Sequence, residues 1–210
     1  MDHIDPSQIK CVVFDFGFTL SPDYYFKIAP EECPQWHEVI QEHIFGEPGI
    51  VVPWMKGELT TLDIAGILSK HIPLDTPTIA ATMEKGCENL DFNPAVWNFA
   101  MAQKAAHRKT ALVTDNMDVF SKVVVPAHSL DRLFDVILNS SDQHEIRKEL
   151  LWPIAFAILG NGIEYTNSLL IEDGETEPAL FRKLGGFAYQ YSNDTAFLHW
   201  LDRSDWSEQR

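Results

Sequence analysis

The chain has 210 residues, 45% of them apolar, and a formal net charge of −15 at pH 7. That supports one good core, or a core carrying a small inserted module, and excludes a disordered chain. So much negative charge repels nucleic acid and anionic lipid, so neither is expected as a partner. Any phosphate site must be made locally positive by a metal, a lysine or helix N-termini.

Residues 1–6 are polar and acidic and lack the basic and apolar regions of a signal peptide. No apolar run approaches the ~18 residues of a membrane span. A soluble, cytoplasmic protein is expected. Cys11, Cys33 and Cys87 are odd in number, widely spaced and without a CxxC pair, so they read as buried free thiols.

The first predicted strand is Cys11-Val12-Val13-Phe14, closed by Asp15 and the turn Phe16-Gly17-Phe18-Thr19-Leu20. Open α/β sheets bind ligands at the carboxyl ends of their strands. A carboxylate there needs a metal, a cation or hydrogen bonds to offset its desolvation. A helical block follows. Helices are predicted over Pro34 to Ile44, over Thr61 to Ile72 with Thr61 as cap, and over Pro77 to Leu90 with Thr76 as cap. Trp54, Met55 and Lys56 fall in a predicted loop that could face substrate.

From Asn93-Pro94 onward, helices and strands alternate. Predicted strands are Thr110 to Thr114, Phe134 to Leu138, Ser168 to Ile171 and Phe187 to Tyr191. Between them lie helices from Pro94 to about Ala106, around Val119 to Val124, from Leu151 to Leu159 and from Pro178 to Leu184. This alternation predicts a parallel sheet covered on both faces. The tail from Asp202 to Arg210 reads as a frayed terminus.

The ends of the predicted strands carry Asp15, then Thr114-Asp115-Asn116, then Ser140-Ser141 leading to Arg147-Lys148, then Glu172-Asp173-Gly174. In a parallel sheet these ends share one edge. The residue types suit phosphoryl transfer: a carboxylate nucleophile, a hydroxyl and a lysine for phosphate oxygens, and an acidic pair for a divalent cation. The eight histidines form no HxxxH or HxH pair, and none is assigned to a metal. Asp118 reads as a helix-start carboxylate.

These four segments, in order, resemble the motifs of the haloacid dehalogenase-like hydrolases. The Glu172-Asp173 pair and the helical insertion resemble the subgroup around β-phosphoglucomutase and its phosphatase relatives. The resemblance implies an α/β fold, a doubly wound, Rossmann-like parallel sheet. Residues 1–21 and 92–210 would form the core domain and residues 22–91 a helical cap inserted after the first strand. It implies Asp15 as nucleophile and Lys148 as its catalytic cation. Phe16, Thr114, Asp115, Asn116 and Lys148 would bind phosphate. Mg²⁺ would be held by Asp15, the Gly17 carbonyl and Asp173, with Glu172 acting through water. The expected activity is a Mg²⁺-dependent phosphatase acting on a small phosphorylated metabolite, as monomer or homodimer.

Two departures stand out. Gly17 replaces the second acid of the first motif, which protonates the leaving group. Glu149-Leu150-Leu151 follow Lys148 where the pattern has Pro-Asp-Pro, so Arg147 is a second candidate for the cation. Asp23 and Glu58 are the cap-side acids that could replace the missing carboxyl. The rivals are a 2-haloacid dehalogenase-type hydrolase, and a catalytically weak relative that only binds.

Overall fold

The computed structural model describes residues 4–160, 162–204 and 206. Five parallel strands form one sheet: β1 (Cys11–Phe14), β2 (Lys109–Thr114), β3 (Val136–Asn139), β4 (Ser168–Glu172) and β5 (Phe187–Gln190). Their order is β3-β2-β1-β4-β5. The chain therefore builds outward from β1 on one side, then crosses to add β4 and β5 on the other. The reversal of strand order lies between β1 and β4, where such sheets open a crevice for ligands. In register, Phe14 sits beside Leu112 on one side and Ile171 on the other. All four residues of β1 are buried, the near-continuous apolar run of a strand covered on both faces.

Alternating side chains divide the core in two. Val12, Phe14, Leu112, Leu169 and Ile171 pack with α5 (Pro94–Ala105) and the helices between β1 and β2. Those helices are α1 (Trp36–Ile40), α2 (Pro48–Met55), α3 (Thr61–Leu68) and α4 (Thr76–Cys87). Short helices α6 (Val125–Ala127), α7 (Leu130–Leu133) and α8 (Ser140–Gln143) flank β3. On the opposite face, Cys11, Val13, Ala111, Val113 and Leu170 pack against Trp152 of α9 (Lys148–Leu159) and Phe181 of α10 (Thr176–Lys183). The chain closes with α11 (Asp194–Arg203), whose Phe197 joins the first cluster.

The helical block departs from its predicted outline in instructive ways. The first helix is α-helical only over Trp36–Ile40 and widens to a π turn over Gln41–Phe45. Residues 54 and 55 lie in α2 and not in a loop, and Trp54 is fully buried. Its ring stacks on Phe26 at 5.7 Å. The cap of α3 is Thr60, in a reciprocal box with Asp63, which frees Thr61 to bond Asp118. Asp75 caps α4, one residue ahead of Thr76. Asn93 holds the N-cap position of α5, but its amide donates to the Thr19 carbonyl instead.

The tail also differs. Trp206 is fully buried, its ring edge-on to Phe99 at 5.3 Å and capped by the Arg108 guanidinium at 4.7 Å. Residue 205 and residues 207–210 lie outside the described residues. All three cysteines are free and buried, and burial pushes the Cys11 thiol up to about 12.

Candidate active site

The ends of β1, β2 and β4 deliver polar groups to a common cavity of about 480 Å³, and Lys148 of α9 joins them. Asp15 follows β1 and is 4% exposed. Its backbone N–H donates to the Ile171 carbonyl, so it stands level with the end of β4. Glu172 ends β4, and Asp173 follows. One oxygen from each of Asp15, Glu172 and Asp173 lies within 4.8 Å of the others. The Thr19 hydroxyl donates to Asp173 Oδ1 at 3.1 Å, tying the turn after β1 to the turn after β4.

Lys148, the first residue of α9, is buried in the middle of this acidic ring. Its Nζ lies 2.7 Å from Asp15 Oδ1, 2.9 Å from Glu172 Oε2 and 3.2 Å from Asp115 Oδ1. Burial opposes its charge, but these three carboxylates prevail and hold the ammonium well above its usual pKa. Burial and then the Asp15 charge push the Glu172 carboxyl up to about 9 against the pull of Lys148. Arg147 has no part here. It points outward to Glu145 at 2.7 Å, and its side chain is 61% exposed. Adjacent residues at a helix start face different ways, which separates the two cations despite their irregular motif.

The turn after β2 is held by a network that strand periodicity did not announce. Asn116 N donates to Asn139 Oδ1 at 3.1 Å and to Ser140 Oγ at 2.9 Å. Asn116 Nδ2 donates to Thr114 Oγ1 at 3.1 Å. Ser140 Oγ donates in turn to the Met55 carbonyl at 2.7 Å, fastening the helical block to the edge. Thr114, Asp115 and Asn116 all line the cavity. The Asp115 carboxylate faces Lys148, so of its groups only the backbone N–H is suited to an anion. The Phe16 ring is buried in an aromatic cluster, 4.9 Å from Phe120 and 6.0 Å from Tyr25. Phe16 is not among the residues that line the cavity.

Gly17 lines the cavity, and a Cβ added there would meet nothing within 4 Å. The next residue, Phe18, is left-handed (φ 52°) and half exposed. That conformation is strained for a non-glycine residue, and it lifts the ring to the cavity mouth. The wall opposite the carboxylates is supplied by the helical block: Tyr24, Tyr25, Phe26, His37, Ile40, Phe45 and Met55. Of the two cap-side acids, Asp23 lines the cavity but is tied to Lys27 at 2.5 Å and to the Asp91 N–H at 2.5 Å. Glu58 is exposed and does not line it. Asp118 is more than a helix-start carboxylate. It accepts from Trp54 Nε1 at 2.8 Å, Thr61 N at 3.0 Å and Thr61 Oγ1 at 2.7 Å, and pairs with Lys122 at 2.8 Å.

Solved structures share this architecture from end to end. A HAD family enzyme of Bacteroides thetaiotaomicron, in its magnesium complex, superposes with a TM-score of 0.63 over 96% of this chain and 98% of that one, at 16% identity. The chain has the haloacid dehalogenase-like fold. A predicted HAD-like family hydrolase of Porphyromonas gingivalis matches with a TM-score of 0.62 at 15% identity, over 94% of this chain and all of that one. The L-2-haloacid dehalogenase of Xanthobacter autotrophicus matches with a TM-score of 0.61 at 14% identity, over 94% of this chain and 84% of that one. No protein-family model and no curated sequence matches the chain. In this fold the cavity, with its three carboxylates, its buried lysine and the Thr114 hydroxyl, sits on the switch-point edge.

Proposed function

We propose that the chain is a magnesium-dependent phosphohydrolase acting on a small phosphorylated metabolite, with Asp15 as nucleophile. The observation that carries this reading is the pairing of Asp15 with one cation, Lys148, beside the acidic trio Asp15, Glu172 and Asp173. A carboxylate flanked by a lysine and a divalent-cation site can attack a phosphorus whose oxygens both cations neutralise. Hard carboxylate oxygens at this spacing suit Mg²⁺, and magnesium is present in the complex of the Bacteroides thetaiotaomicron enzyme. Asp15, Asp173, the Gly17 carbonyl and, added here, Glu172 would hold it. When bound, the ion supplies charge neutralisation for the phosphoryl oxygens.

The chain's own groups then divide the work. Asp15 attacks in line, forming the phospho-aspartyl bond as the ester P–O bond breaks. Lys148 and Thr114, with the N–H group of Asp115, hold the phosphoryl oxygens. Residues 22–91 act as the cap, closing the cavity from above and excluding bulk water. A 2-haloacid dehalogenase would use Asp15 on carbon without any cation site, and the trio of carboxylates favours phosphorus.

The test is a screen of phosphorylated metabolites with and without Mg²⁺, followed by Asp15→Asn on the best substrate. Loss of a covalent nucleophile should cut turnover by roughly 10³-fold or more. Turnover above a tenth of wild type in Asp15→Asn removes Asp15 from this role. Halide release from a chloro-acid in excess chelator would replace the phosphatase reading with the dehalogenase one. Mg²⁺ should also raise the melting temperature of wild type but not of Asp173→Ala, because a ligand stabilises only a state that binds it.

A further inference from the structure

The cavity has two unlike sides. The sheet side carries Asp15, Thr114, Asp115, Lys148, Glu172 and Asp173. On the other side, Phe18, Tyr24 and His37 line the same cavity. Phe18 is 50% exposed, Tyr24 is 58% exposed, and His37 is exposed as well. Their rings form one edge-to-face row, with Phe18 and Tyr24 5.6 Å apart and Tyr24 and His37 5.7 Å apart. Ile40, Phe45 and Met55 extend the apolar lining beside them.

Exposed rings gain by being covered, and another ring suits them best, because aromatic edges and faces carry opposite partial charge. The row also has a backbone cause. Phe18 keeps its left-handed conformation (φ 52°), and strain of that kind gathers at ligand sites. A polyol is a poor guest for this wall, since each hydroxyl taken out of water needs a partner. The Asp23 carboxylate is already engaged by Lys27 and the Asp91 N–H. That leaves Gln41 and the polar tips of Tyr24 and His37 on this side. A second anionic group is a poor guest too. Among the described residues, Lys148 is the one lysine or arginine lining the cavity, and three carboxylates already surround it.

We propose that the row of Phe18, Tyr24 and His37 is the leaving-group subsite, and that the substrate is an aryl phosphate, a monoester of one aromatic ring system without a second anionic group. The inference rests on the phosphohydrolase reading of the site. The phosphoryl group lies at Asp15 and Lys148, and the ring lies against the row. A cavity of about 480 Å³ is of a size to hold both. The residue at position 17 agrees with this choice. An aryl oxygen leaves as a stabilised anion and needs little proton assistance, and Gly17 has no side chain to supply any.

The test is calorimetric binding of phosphonates in the presence of Mg²⁺, since a phosphonate has no ester bond to cleave. Benzylphosphonate, which has the shape of phenyl phosphate, should bind wild type about 10–100-fold more tightly than methylphosphonate, the worth of enclosing one apolar ring. Dihydroxypropylphosphonate should bind no better than methylphosphonate. Tyr24→Ala should reduce the benzyl preference about tenfold, and Tyr24→Phe, which keeps the ring, should retain it. Both variants should melt as wild type does, because Tyr24 is exposed. Tighter binding of the dihydroxypropyl compound, or a benzyl preference untouched by Tyr24→Ala, overturns the aromatic subsite, while Asp15-dependent turnover of any phosphate ester keeps the phosphohydrolase reading. The expected benzyl preference in a protein that hydrolyses no phosphate ester supports the subsite and overturns the phosphohydrolase reading alone. Binding of none of the three phosphonates overturns both.

Discussion

Lys148 shows how one side chain can set the electrostatics of a whole site. It is buried against three carboxylates, and each of them is a liability without it. Breaking a buried ion network by removing one partner leaves uncompensated charge. Lys148→Met should therefore cost about 2–4 kcal/mol in urea unfolding without Mg²⁺. A change below about 0.5 kcal/mol would show that the carboxylates relax or take up protons without strain. Asp15, Thr114, Glu172 and Asp173 were legible in the sequence, because each ends an apolar run and strand ends share an edge. The choice of Lys148 over Arg147 was not legible. Both are cations at a helix start, and only the direction of each side chain separates them.

At the scale of elements, the helical block is fastened to the sheet by polar bonds as well as by apolar packing. Asp118 collects Trp54 of α2 and Thr61 of α3, and Ser140 of α8 takes the Met55 carbonyl. Asp118→Ala strands several buried donors at once and should destabilise the fold by about 2–4 kcal/mol. Burial works to raise the Asp118 carboxyl, but Lys122, Thr61 and Trp54 overrule it and hold it below the usual range. The stabilisation is thus present above the unfolded-state value of about 3.9 and is lost as pH falls through the folded one. Wild type should lose stability more steeply than Asp118→Asn below about pH 4, as acid titrations followed by circular dichroism will show. Equal acid profiles would remove Asp118 as the source.

At the scale of the molecule, one hydrophobic cluster runs from the helical block into the sheet. Trp36, Trp54 and Ile64 belong to the same buried set as Phe14, Phe99 and Trp206. Units that share a core unfold together. Tryptophan fluorescence and far-ultraviolet dichroism should therefore report one transition at one midpoint. Two separated midpoints would mean that the block folds by itself. Trp206→Ala should lower the stability of this single unit by about 3–5 kcal/mol, since its ring is fully enclosed.

The sequence by itself determined the parallel α/β class, the run of helices after the first strand and the edge where polar residues gather. These follow from local periodicity and from the rule that strand ends of one sheet coincide. It placed most elements within a few residues but misjudged caps, taking Thr61 for Thr60 and Thr76 for Asp75, because adjacent cap-forming residues compete and tertiary bonds choose between them. The tertiary structure decided the strand order, the burial of Trp54 and Trp206 and the reach of Lys148 to Glu172. Each of these joins residues dozens of positions apart, and chain spacing carries no record of which distant groups packing will bring into contact.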